Sequence, residues 1–90
     1  MAQAIVDPAE LRRFAQTLKS FNNELAQQVG GLSAQLADLS NTWRDQEQSR
    51  FREEFEQHLK MIFRFIEDNN QHIPYLLRKA ERIEEYMQQR

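Results

Sequence analysis

The chain has 90 residues, with 12 Lys and Arg against 14 Asp and Glu and no cysteine. A domain of that length can bury only part of the surface its unfolded chain exposes, so its stability is expected to lean on a partner. The charges are spread through both halves, which argues against the one-sided basic footprint of a nucleic-acid binder, and the lack of cysteine excludes disulfides and thiol chemistry while leaving the compartment open.

The first residues, MAQAIVDPAELRRF, lack a basic region followed by a long apolar run. No apolar stretch approaches the roughly 18 residues that could span a bilayer. The expectation is a soluble protein without membrane insertion, either secreted without a cleaved signal peptide or cytoplasmic. Only two glycines and two prolines occur, and Gln, Glu, Leu, Arg and Ala outweigh the β-branched residues, so the fold class is all-α.

Helix 1 is predicted over about residues 8–40. Asp7 can cap it, Pro8 suits its first position, and Glu10 can close a capping box with Asp7. Leu11, Phe14, Leu18, Phe21, Leu25, Val29, Leu32, Leu36 and Leu39 recur in steps of three and four and make one apolar stripe. Gly30 and Gly31 interrupt it without breaking its phase. They predict either a local bend or a point where another helix crosses closely, because each glycine in a helix interior costs about 1 kcal/mol relative to alanine.

The turn is predicted over 41–45, with Trp43, Arg44 and Asp45 as its motif. Asp45 with Gln48 is a second capping signal, and helix 2 follows over about 46–69 with the stripe Phe51, Phe55, Leu59, Ile62 and Ile66. A loop of about five residues between two long amphipathic helices predicts antiparallel neighbours, hence a helical hairpin in one domain, 1–90. Trp43 then falls at the closed end, where a large indole can cover the mouth between the stripes.

In KMIFRFIED the apolar residues Met61, Ile62, Phe63, Phe65 and Ile66 spread wider than one partner helix can cover. The expected interface therefore comprises Phe51, Phe55, Leu59, Ile62, Phe63, Phe65 and Ile66, and pairing with a second hairpin would give a four-helix bundle, most simply a two-fold dimer. Exposure of part of this patch is the bland alternative.

An unbroken second helix would measure about 64 Å against about 50 Å for the first. Pro74, with Asn69 and Asn70 before it, predicts a kink or break near 69–74. Beyond it, residues of about 74–88 form an amphipathic C-terminal segment in which Tyr75, Leu76, Ile83 and Tyr86 are docking candidates. The plainer reading is the last part of one kinked helix.

With these residues in place, the chain resembles the WXG family, the small helical-hairpin substrates of type VII secretion also called the early secreted antigen family. The resemblance rests on the length, the two long helices, and Trp43 at the central turn followed by a helix with an early Phe. It departs where the family has glycine, since the motif here reads Trp43-Arg44-Asp45; aspartate favours capping where glycine would permit a positive-φ turn. Exported members often carry a tyrosine followed four residues later by an acid. Tyr75 is followed at that spacing by Lys79 and Tyr86 by Arg90, so the resemblance leaves open export with a partner, a divergent signal, or no export by that route.

Little suggests chemistry. Glu54 and His58 lie four apart on one helical face, but a carboxylate-bridged di-iron bundle needs Glu and His three apart, twice over, with two further glutamates. His72 has no acidic residue three before it, and the run Glu53 to Glu56 reads as a solvated face paired with Arg50, Arg52 and Lys60. No phosphate loop or nucleophile motif is present, so neither an enzyme nor a cofactor is expected. The sequence thus points to a secretion-linked protein that binds a sister hairpin, an effector or the export machinery as a homodimer or heterodimer. The alternative is a cytosolic helical adaptor or chaperone-like subunit outside type VII secretion.

Overall fold

A computed structural model describes residues 6–88. Two helices, α1 (Pro8–Leu39) and α2 (Gln46–Gln88), run antiparallel and pack along their length as one hairpin of about 69 × 20 × 14 Å. The fold is the all-α hairpin that the two stripes and the short turn predict.

Each helix begins at its expected cap with a changed bonding pattern. The Asp7 carboxylate accepts the Ala9 N–H at 2.9 Å, while the Glu10 N–H goes to the Asp7 carbonyl. At α2 the Asp45 carboxylate accepts the Gln48 N–H at 3.1 Å. The Gln48 side chain donates to Ser40 Oγ at 2.9 Å instead of closing a capping box. It therefore ties the start of α2 to the end of α1. Neither Glu10 nor Gln48 completes the reciprocal bond, and Gln48 is instead committed to Ser40.

The seam follows coiled-coil spacing. On α2, Phe55, Leu59, Ile62, Ile66, Asn69, Ile73, Leu76, Ala80 and Ile83 are buried or half-buried in strict alternating steps of four and three. On α1 and its C-cap the seam positions are Leu11, Ala15, Leu18, Asn22, Leu25, Val29, Ser33, Leu36 and Ser40. Two consecutive steps of four, Leu25 to Val29 to Ser33, insert a stutter beside Gly30 and Gly31, the device that locally unwinds a supercoil. Both glycines keep helical backbone without positive φ, and a Cβ at either would meet nothing within 4 Å. Within the chain, no helix crosses closely at the glycines.

The α1 stripe read from the sequence is thus only partly the seam. Phe14, Phe21, Leu32 and Leu39 stay exposed, and Ala15, Asn22 and Ser33 take covered places beside the leucines. The contact line is thus rotated toward Ala15, Asn22 and Ser33.

Helix α2 does not break at 69–74. Pro74 lies inside it on the exposed side. The missing N–H deprives the Asn70 carbonyl of its usual donor four residues on. Cross-seam contacts hold the helix on both sides of that defect: Asn69 and Asn70 bond to Asn22, and Ile73 and Leu76 pack in the seam. Asn69 and Asn70, which read as a helix end, therefore lie within α2 and bond across the seam.

Candidate interaction surface

The closed end is an aromatic row. Trp43 is half-buried and packs on Phe51 with ring centroids 5.6 Å apart, and Phe51 stacks on Phe55 at 5.5 Å. The Trp43 backbone N–H donates to the Leu39 carbonyl at 2.9 Å, and Arg44 Nε donates to the Asn41 carbonyl at 2.9 Å. With Asp45 acting as the α2 cap, all three motif residues are bound into the turn. No described residue outside glycine has positive φ, so the turn is built without the conformation that a glycine at position 45 would permit.

Above the turn, two flanks of the hairpin share one broad face. An advance of about 100° per residue puts Phe14, Phe21, Leu32 and Leu39 on the same side of α1 as Leu25. Leu25 in turn borders a groove with His58, Met61, Ile62 and Phe65 of α2. Phe51, His58, Phe65 and His72 repeat along α2 at intervals of seven, so this apolar flank continues along the helix and carries both histidines. Met61 is 67% exposed and Phe14 57% exposed. Large apolar side chains are thus left open along both helices on this face, more than single scattered exposed residues would give.

The expected interface residues divide into three groups. Leu59 and Ile66 are buried beneath α1, and Phe55 and Ile62 are half-buried in the same seam, with Ile62 also lining the groove on the broad face. Phe51 and Phe65 are exposed on the broad face. Phe63 is exposed on the other side of α2, beside Lys60, Arg64, Glu67 and Asn70. The C-terminal candidates divide likewise: Leu76 and Ile83 enter the seam, whereas Tyr75 and Tyr86 are open. Gly30 and Gly31 lie off the seam with free space above them.

Sequence reasoning passed over two polar features. Asn22, 1% exposed, donates to Asn70 Oδ1 at 2.9 Å and accepts from Asn69 Nδ2 at 3.1 Å. Its place seven residues from both Ala15 and Val29 was the signal that it belongs to the seam. At the open end Arg12 and Glu84 form a two-bond pair, Nε to Oε2 at 3.0 Å and Nη2 to Oε1 at 2.7 Å. The bond from Arg12 holds the Glu84 carboxyl below its ordinary range, and the same bond raises the guanidinium. Nothing in the sequence indicates this contact, because the partners are far apart along the chain.

Of the charges near Glu53 to Glu56, Arg52 pairs with Glu56 at 3.3 Å. Among the described residues no group of three or more His, Asp or Glu side chains is arranged to hold a metal ion, and no helix is long and apolar enough to cross a membrane.

An antiparallel pair of long helices joined at a tryptophan turn, with an open apolar face, is a small helical-hairpin protein of the WXG kind. The chain belongs to the WXG100 family, described as proteins of 100 residues with WXG, which it matches over residues 3–89. Among solved structures it is similar to the secreted protein ESXB from Bacillus anthracis str. Sterne. The match has a TM-score of 0.79 and 27% identity, and covers 96% of this chain and 98% of that one. No curated protein matches.

Proposed function

We propose that the chain is a non-enzymatic, secretion-linked protein of the type VII kind that works by pairing with a second helical hairpin, either its own copy or a sister. The pair forms a four-helix bundle that engages export machinery or an effector. The observation that carries this reading is the uncovered face formed by Phe14, Phe21 and Leu32 of α1 with Met61 and Phe65 of α2. In a hairpin with a single seam, a second hairpin laid on that face supplies the missing half of a core. Membership of the WXG100 family and similarity to a protein described as secreted support the link to secretion. Lys79 and Arg90, standing where an acidic residue follows tyrosine in exported relatives, favour export in company with a partner.

Two measurements test the reading. Sedimentation at micromolar concentration should give at least twice the chain's 10.8 kDa, and a monomer mass for the chain, alone and with candidate sister hairpins, would refute the bundle. Expression in a host with a working type VII apparatus, with a lysis control, should bring the chain into the medium beside a sister and not alone. Efficient export of the single chain, persisting when Tyr75 and Tyr86 are both alanine, would show that the signal lies elsewhere.

A further inference from the structure

At the open end of the hairpin the start of α1 and the last turns of α2 enclose a groove of about 670 Å³. Val6 and Pro8 form one wall, and Ile83, Tyr86 and Met87 the other. Three charged residues also line it: Asp7, Lys79 and Arg82. The Asp7 carboxylate is engaged as the α1 cap with the Ala9 N–H, and the neighbouring Arg12 and Glu84 are paired with each other. Among the described residues neither Lys79 nor Arg82 has an ion-pair partner. Tyr75, Lys79, Arg82 and Tyr86 follow in steps of four, three and four, so they form one row beside the groove, and Tyr86 is 70% exposed. Apolar walls with two cations outside any ion pair on one lip and the exposed Tyr86 beside them have the makeup of a recognition groove.

We propose that this groove binds an amphipathic segment of a partner protein that bears carboxylates beside its apolar anchors. The anchors pack on Pro8, Ile83 and Met87, and the carboxylates pair with Lys79 and Arg82. Charge selects this occupant over the C-terminal segment of a second copy, in which Glu81, Glu84 and Glu85 are already offset by Arg78, Lys79 and Arg82, so that it brings no acidic excess to Lys79 and Arg82. Lys79, which stands where an acidic signal residue would follow Tyr75, thus belongs to the receiving side. The proposal rests on the reading that the chain acts by binding partners, but it uses different residues from the assembly face around Phe21 and Phe65.

The test uses the whole chain and three fluorescein-labelled helical peptides of leucine and alanine. One has glutamate beside the leucines, one has glutamine, and one has lysine at the same places. Anisotropy should show binding of the glutamate peptide, binding of the glutamine peptide weaker by about tenfold, and none of the lysine peptide. The Lys79→Glu, Arg82→Glu double variant should reverse the order and prefer the lysine peptide, a reversal that misfolding cannot imitate. Amide resonances of Val6, Ile83 and Met87 should shift on titration. Equal binding of the three peptides, an unchanged order in the double variant, or shifts confined to other residues would overturn the proposal. So would shifts at the groove that follow the protein's own concentration and not the peptide's, since these assign the groove to a second copy. A Phe21→Asp variant that is monomeric and still binds the glutamate peptide separates this groove from the assembly face.

Discussion

Asn22 Nδ2 donates to Asn70 Oδ1 across the seam at 2.9 Å, joining the middle of α1 to the middle of α2 through the only buried polar residue among those described. The amide oxygen of Asn22 is satisfied as well, by Asn69 at 3.1 Å. A buried polar group in a coiled-coil seam fixes which residues face each other, because any slip leaves it without partners. Asn22→Ala should therefore lower stability by about 1–3 kcal/mol, the cost of stranding hydrogen-bonding groups in a covered site. Denaturant midpoints at fixed protein concentration check this, and an unchanged midpoint would mean that water replaces the amide without loss.

Trp43 should matter less than its size suggests. It is half-buried, and Phe51, on which it packs, is itself exposed. Trp43→Ala should cost about 1–2 kcal/mol, combining partial burial with the aromatic contact. A loss of more than about 3 kcal/mol, the range of a fully packed aromatic, would show that the closed end is covered by a partner in solution.

The pair between Arg12 and Glu84 predicts a dependence on pH whose sign is fixed. The Glu84 carboxyl is held low in the folded chain, chiefly by the bond from Arg12. Its contribution is therefore present above the ordinary carboxylate range and is lost as the pH falls through its lowered folded value. In Arg12→Met the Glu84 carboxyl should titrate at higher pH than in the parent chain, as read from its side-chain NMR shift. Because both groups are exposed, salt should weaken the difference.

Gly30→Ala and Gly31→Ala should each stabilise the hairpin by about 0.5–1 kcal/mol, since both backbones are helical and an added Cβ meets nothing within 4 Å. If either substitution instead raises the dissociation constant of the assembled form, the open space over the glycines is filled by a partner helix.

Pro74→Ala should raise the midpoint too, by up to about 3 kcal/mol, because it restores the donor for the Asn70 carbonyl within a helix that is continuous through that position. A lower midpoint would mean that α2 depends on the restricted backbone of proline there.

The two stripes, the caps at Asp7 and Asp45 and the short turn made the hairpin legible in the sequence. These are local signals, in which side-chain spacing and backbone satisfaction depend on neighbours within a turn or two of helix. Of the two readings of Pro74 and the asparagines before it, a break or one continuing helix, the helix continues: locally these residues end helices, and the bonds that override this come from Asn22 on the other helix.

The sequence by itself determined the helical class, the place of the turn and the presence of more apolar surface than one seam can hide. Only the tertiary structure decided how that surface is shared, placing Leu59 and Ile66 inside the hairpin and leaving Phe21 and Phe65 on the open face. The physical reason is that a stripe of period near 3.6 fixes which residues lie on one side of a helix, but the angle at which the second helix meets it depends on small residues such as Ala15 and Ala80. Those positions let the backbones draw together, and no count of apolar residues along one helix contains the rotation that follows.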